Sequence, residues 1–255
     1  MDSALHTPQH VVLITGFMCD ARLFSPQIQC LEKLNISYCV EQMITGSSIR
    51  DYAMRILNNA PENFALVGLS MGGIIAQEIL HIAPQRVSHV ALLNTTPYAD
   101  SVSGQREDHI KRVQEGEIIG ILRDELKPRY LSPATSRESI LPLVIQMGEK
   151  LGPEIFVRQS IELMTRKSRF ENLNSITCPT VLITGHDDKV CTPDIHIAMA
   201  QEIPHSILNI IENCGHLSTL EAPKTLNKIL LEHWGYDFED SIGLHDKKTR
   251  ILQNT

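Results

Sequence analysis

The sequence predicts an α/β protein: a mostly parallel sheet of about six strands, helices on both faces, and a helical segment inserted near the middle. Three observations carry this. Short apolar, β-branched runs alternate with longer runs of helical periodicity, as βαβ units require. A strand-like run, Phe64 to Val67, passes through Gly68-Leu69-Ser70-Met71-Gly72 straight into a helical pattern. Between about Pro97 and Asn174 the alternation stops, and helical patterns interrupted by Pro128, Pro133, Pro142 and Pro153 take over. The expected organisation is a core formed by residues 1–96 and 175–235, an inserted helical cap over 97–174, and a polar tail over 236–255 that packs loosely or is disordered.

Each element has its own signal. Val11-Val12-Leu13-Ile14 is continuously apolar, as in a strand buried on both faces, and ends at Thr15-Gly16. Asp20 can cap a helix carrying Leu23, Phe24, Ile28 and Leu31. Ile36 to Val40 is a second strand, and Ser48 opens a helix with Ile49, Tyr52, Ala53, Ile56 and Leu57 on one face. After the third strand comes a helix with Ile74, Ile75, Ile79 and Leu80, closed before Pro84. Val87 to Leu93 is the fourth strand. Beyond the insertion, Thr180 to Thr184, a helix from about Pro193, and Ser206 to Ile211 restore the rhythm. A last helix is expected from about Leu217 to His233, with Leu220, Leu226, Ile229 and Leu230 inward.

Composition narrows the function. A chain of 255 residues with net charge -7 makes nucleic acid an unfavourable partner. No run of eighteen apolar residues is present, and the start lacks a basic, then apolar, leader pattern, so no membrane partner and a cytoplasmic location are expected. The six cysteines are dispersed without a C-x-x-C pair, which fits free thiols in a reducing compartment. The eleven histidines show no H-E-x-x-H or similar spacing, so neither metal nor other cofactor is expected.

The chemistry sits at Ser70. A Gly-x-Ser-x-Gly turn between strand and helix is a nucleophile elbow, in which Gly68 and Gly72 leave room for the sharp turn and the serine hydroxyl faces the helix N-terminus. A serine needs a base and a group to orient that base. Gly185-His186-Asp187-Asp188 follows the fifth strand and Cys214-Gly215-His216 the sixth, in the order acid then histidine. Asp188 is the expected orienting acid, three residues after Gly185, with Asp187 the alternative; His216 is the expected base.

These motifs, together with Thr15-Gly16-Phe17-Met18-Cys19-Asp20-Ala21-Arg22-Leu23-Phe24 and Asp187-Asp188-Lys189-Val190-Cys191-Thr192-Pro193, resemble the α/β-hydrolase fold family, in its compact esterase-like form with a helical cap. The resemblance spans about residues 11 to 233. It implies an oxyanion hole from the backbone N–H groups of Phe17 and Met71, although Thr15 stands where the family usually has histidine. A β-hairpin before the first strand, common in the family, is expected to be missing. In some relatives the acid follows the fourth strand; here that residue is Asn94, which cannot serve. Aspartate or cysteine at position 70 would imply dehalogenase or dienelactone-type chemistry, whereas serine implies an acyl-enzyme and a carboxylic ester substrate.

Substrate choice is expected from the cap, whose positions Ile110, Val113, Ile118, Ile119, Ile121, Leu122, Leu143, Val144, Met147, Phe156 and Met164 recur at helical spacing. Most pack the cap onto the core and some line a pocket for an acyl chain. Arg123, Lys127 and Arg129 either meet an acidic partner such as acyl carrier protein, as in pimeloyl-carrier methyl esterases, or form a solvated charged face. Cys19 and Cys214 read as small buried hydrophobes rather than redox groups. A serine ester hydrolase leads; an acyltransferase or perhydrolase with the same triad, and a non-catalytic ligand receptor, are the alternatives.

Overall fold

A computed structural model describes residues 7–135 and 137–237. Six strands, β1 (His10–Ile14), β2 (Ser37–Glu41), β3 (Phe64–Leu69), β4 (Val87–Leu93), β5 (Thr180–Gly185) and β6 (Ile207–Ile211), form one sheet in the order β2-β1-β3-β4-β5-β6. Every neighbouring pair is parallel. This is the α/β-hydrolase fold, and among the described residues no hairpin precedes β1. The tail expected over 236–255 lies outside the described residues from 238 onward.

Burial on both faces explains the unbroken apolar strands. Val12, Ile14 and Leu66 join one cluster and Val11, Leu13, Ala65 and Val67 the other, so alternate residues feed opposite cores. Helix α1 (Ser25–Lys33) supplies Leu31 to the second cluster. Helices α2 (Ile49–Asn59) and α3 (Met71–Ile82) supply Tyr52, Ile56, Ile75 and Ile79 to the first. Ser48 caps α2 by accepting from the Asp51 amide, and Ile49, Tyr52, Ala53, Ile56 and Leu57 are the buried residues of that helix.

The chain departs from the expected elements where proline intervenes. Asp20 caps a short 3-10 turn, Ala21–Phe24, rather than the helix itself, and α1 restarts behind it with Pro26 in its first turn.

Between β4 and β5 the described residues form α4 (Ser103–Gln114), α5 (Ile118–Gly120) and α6 (Arg137–Thr165). Helix α5 runs on into a π turn, Ile121–Leu126, and a 3-10 turn, Lys127–Tyr130. At Gly152, φ is 80° and ψ 176°, so α6 breaks there and Pro153 starts its second half. Pro142 lies within the helix without ending it.

After β5 come α7 (Pro193–Glu202) and, behind β6, α8 (Ser218–Glu221) and α9 (Pro223–His233). The last two replace the single helix expected over 217–233, because Pro223 cannot donate to the preceding turn. Leu226 and Leu230 of α9 are buried, as is Leu231, while Leu220 and Ile229 are only half-buried.

The insertion is stitched to the core by buried polar groups. Tyr52 Oη on α2 lies 3.2 Å from Glu162 Oε1 on α6, and Glu162 is 1% exposed. Burial pushes its carboxyl up to about 7. The folded protein therefore holds this proton to about pH 7, whereas an ordinary glutamate releases it near 4.5. Stability contributed by the group falls as pH rises across that window and is flat above it. Glu162→Gln, which keeps an acceptor for Tyr52, should leave the urea midpoint nearly unchanged at pH 5 and raise stability at pH 8 by an amount on the order of 2 kcal/mol. A gain that did not depend on pH would contradict the buried-carboxyl account.

Candidate active site at the carboxyl edge of the sheet

Four loops leave the strands at one edge, and backbone hydrogen bonds extend the sheet past its formal ends. Thr15 N donates to Glu41 O, Ser70 N to Leu93 O (2.9 Å), Asn94 N to Ile183 O (2.8 Å) and His186 N to Ile211 O. Positions 15, 70, 94 and 186 are thereby fixed relative to one another by the ladder rather than by loop packing.

Ser70 occupies a conformation with φ 56° and ψ −114°, costly for a residue with a side chain. Its amide bond to Leu93 and the Thr95 Oγ1–H bond to its carbonyl (2.8 Å) hold it there. A Cβ on Gly68 would lie 2.4 Å from Gly72 O, and one on Gly72 only 2.1 Å from Ile14 O. The two glycines thus let α3 press against β3 and β1 directly below the turn. Gly73 does the same against Thr95 at 2.6 Å, a constraint the pentapeptide pattern does not contain.

His216 is 2% exposed and bridges Ser70 and Asp188: its Nε2 lies 2.9 Å from Ser70 Oγ and its Nδ1 2.8 Å from Asp188 Oδ2. An ionised carboxylate only accepts, so Nδ1 carries the proton and Nε2 is left free to accept from the serine hydroxyl. The loop is held from the insertion side, where His216 N donates to Tyr130 O (2.6 Å) and the Tyr130 ring lies 5.1 Å from the imidazole. Gly215 permits that approach, since a Cβ there would be 2.5 Å from Tyr130 O.

Asp188 is buried and accepts four hydrogen bonds. Oδ1 takes the amides of Val190 (2.8 Å) and Cys191 (2.9 Å), and Oδ2 takes His216 Nδ1–H and Asn94 Nδ2–H (3.0 Å). Burial pushes its carboxyl upward, but the imidazole beside it and these donors outweigh that, and it is held below the usual carboxylate range. Asp187 faces elsewhere, taking the Ser132 hydroxyl (2.5 Å), so Asp188 rather than Asp187 meets the imidazole. Asn94, unsuited to be the acid, instead orients it, with its own Oδ1 accepting from Ser218 Oγ (2.6 Å).

Phe17 and Met71 both line the cavity at Ser70, and no described hydrogen bond occupies either amide. Their loop is pinned from the insertion. Met18, at φ 50°, donates its amide to Gln159 Oε1 (2.9 Å), and Lys127 Nζ donates to Met18 O (3.0 Å) and Phe17 O (3.4 Å). Thr15, where histidine was the usual residue, ties the loop to β2 through Glu41 O.

Lys127 is fully buried, and burial lowers its ammonium below the ordinary lysine value. It therefore cannot meet a carrier protein. Arg123 is exposed and paired with Asp124, and exposed Arg129 lines the cavity, so the three cations do not form one face. Cys19 and Cys214 are buried, and burial raises both thiols. Among the described residues no three His, Cys, Asp or Glu side chains gather as a metal would need, and no helix is long and apolar enough to cross a membrane.

The cavity at Ser70 holds about 360 Å³. Of the apolar insertion positions named from sequence, Phe156 alone reaches it. Val113, Ile121, Leu122, Val144 and Met147 pack the interior, and Ile119 is half exposed. The walls come instead from Tyr98, Arg106, His109, Leu126, Tyr130, Leu163 and Arg166, whose spacing gives no warning of a shared surface.

A turn after β3 thus presents a serine to a histidine–aspartate pair at the carboxyl edge of a parallel sheet. The alpha/beta hydrolase family model matches residues 43–229, and the chain belongs to that family. Among curated relatives, the monoacylglycerol lipase ABHD6 of Bos taurus is 26% identical, over 89% of this chain and 75% of the relative, and that of Homo sapiens 25% over the same shares. Among solved structures, a thermophilic esterase from Thermogutta terrifontis superposes with TM-score 0.76 at 22% identity over 89% of each chain. The enol-lactonase from Burkholderia xenovorans LB400 does so with TM-score 0.75 at 18%, covering 91% of this chain and 94% of the other.

The glycine contacts give the site its most direct stability test. Gly72→Ala forces a methyl into the Ile14 carbonyl and should lower stability by about 3 kcal/mol or more, read as a fall in the urea midpoint. A loss under about 1 kcal/mol, or the gain of up to about 1 kcal/mol that Gly→Ala brings in an ordinary exposed helix, would show that α3 can move away from β1.

Proposed function

We propose that the chain is a serine hydrolase of carboxylic esters acting through an acyl-enzyme. The observation that carries this is the continuous hydrogen-bonded line from Ser70 Oγ through both nitrogens of His216 to Asp188 Oδ2, opening on a cavity beside two unoccupied amides. His216 Nε2 takes the hydroxyl proton as Ser70 Oγ attacks the ester carbonyl. Asp188, kept ionised, stabilises the imidazolium that results. The oxygen of the tetrahedral intermediate is met by the Met71 N–H at the N-terminus of α3 and the Phe17 N–H of the loop after β1; one such donor is typically worth about 2.7–4 kcal/mol. His216 returns the proton to the leaving alcohol, then removes one from the water that releases the acid. The esterase and lipase names of the relatives support the ester class.

On this reading Lys127 and Gln159 are positioning residues, since they hold the peptides either side of the Phe17–Met18 turn.

Ser70→Ala should reduce hydrolysis of p-nitrophenyl esters by a factor on the order of 10⁴ or more and abolish labelling by a fluorophosphonate. Retained activity in that variant would overturn the nucleophile assignment. Lys127→Met should lower kcat by about tenfold while KM moves little, because the hole it supports matters mostly in the transition state. Unchanged kcat in a folded variant would reduce Lys127 to a packing role.

A further inference from the structure

The cavity lining carries more charge than an acyl pocket needs. Arg106, Arg129, Arg166 and Lys189 line it against a single carboxylate, Asp100, in a chain whose net charge is -7. Arg106 Nε (3.2 Å) and Arg166 Nη1 (2.9 Å) both bond the same oxygen, Asp100 Oδ1. The side chains of Asp100 and Arg166 are 2% and 7% exposed. Asp100 Oδ2 is buried with no partner, so the protein does not complete the hydrogen bonding of this cluster. Arg106 stands over the Phe17 ring, its guanidinium carbon 5.6 Å from the centroid, and so borders the loop that carries the Phe17 amide.

Resting on the ester-hydrolase reading, we propose that this cluster selects substrates bearing a carboxylate at a distance from the scissile ester. Asp100 offsets one of the two inner guanidinium charges and leaves one, which a monoanion neutralises. The planar fork of Arg106 has N–H groups beyond Nε with no described acceptor, and its geometry suits a carboxylate. Exposed Arg129 and Lys189 add an attractive field at low-dielectric walls. A hydroxyl or water accompanying the ligand supplies the donor that Asp100 Oδ2 lacks. The remaining walls, Phe156, Leu163 and Tyr130 among them, accommodate the methylene spacer between the two ends.

The test is the ratio of kcat/KM for a matched pair, mono-p-nitrophenyl adipate against p-nitrophenyl hexanoate. The parent protein should favour the adipate at least tenfold at low salt, and less so at 0.5 M sodium chloride. Arg106→Gln should collapse the ratio and Arg106→Lys retain part of it; Arg129→Gln, at an exposed position, should lower it if Arg106 variants do not fold. A ratio near one in the parent, or one that Arg106→Gln leaves intact, overturns the proposal. Calorimetric titration of the Ser70→Ala protein with adipate separates this from the ester reading. Binding that weakens in Ser70→Ala/Arg106→Gln sustains the carboxylate site even if neither ester is hydrolysed. Absence of binding, or tighter binding of inorganic phosphate than of adipate, overturns it.

Discussion

The contact on which the site depends is one between backbones. With no Cβ at Gly68 or Gly72, α3 descends onto the ends of β1 and β3, and Gly72 lies against the Ile14 carbonyl. That approach places the first amide of α3 beside the loop following β1, bringing the Met71 and Phe17 amides to one cavity. It also forces Ser70 into its left-handed geometry, which is tolerated because the Leu93 carbonyl and Thr95 hydroxyl hold its two backbone groups. Two missing methyls therefore set the relation between the serine and the donors around it.

A second set of constraints comes from the opposite side. The sheet supplies Ser70, Asn94, Asp188 and His216, but their loops are braced by the insertion. Tyr130 O receives the His216 amide, Lys127 bonds the Phe17 and Met18 carbonyls, and Gln159 bonds the Met18 amide and the Met43 carbonyl. A fully buried ammonium is costly to desolvate, and it persists here because carbonyl oxygens replace its water. The insertion is thus a structural part of the candidate site's edge as well as a wall of the cavity.

What could be read in the sequence follows from the range of the interactions. Strand β4 and the buried face of α2 were legible to the residue because periodicity is local and both faces of the sheet are apolar. That Ser70, Asp188 and His216 come together was legible because each follows a strand, and the ladder carries that order into space. Asn94 was legible as a position but not as a role, since its bond to Asp188 spans 94 residues. Lys127 read as surface charge because a lysine among Asp124, Glu125 and Arg129 looks solvated in one dimension. Its partners lie about 110 residues away, at Phe17 and Met18. The apolar insertion positions failed as pocket predictors for the same reason. Helical spacing marks an inward face without saying whether that face meets the core or a cavity.

The same limit explains why charge within the cavity was invisible. Asp100 and Arg166 are 66 residues apart and come together only because α6 doubles back across the start of the insertion. Summed along the chain, the charges describe an acidic protein; summed over the cavity wall, they describe a basic one. Net charge governs how the whole molecule meets polyanions and surfaces, whereas the field within a cleft is set by the few groups that line it. An acidic chain can therefore keep a cavity that attracts anions, and its overall repulsion of large polyanions leaves that cavity open to small ones.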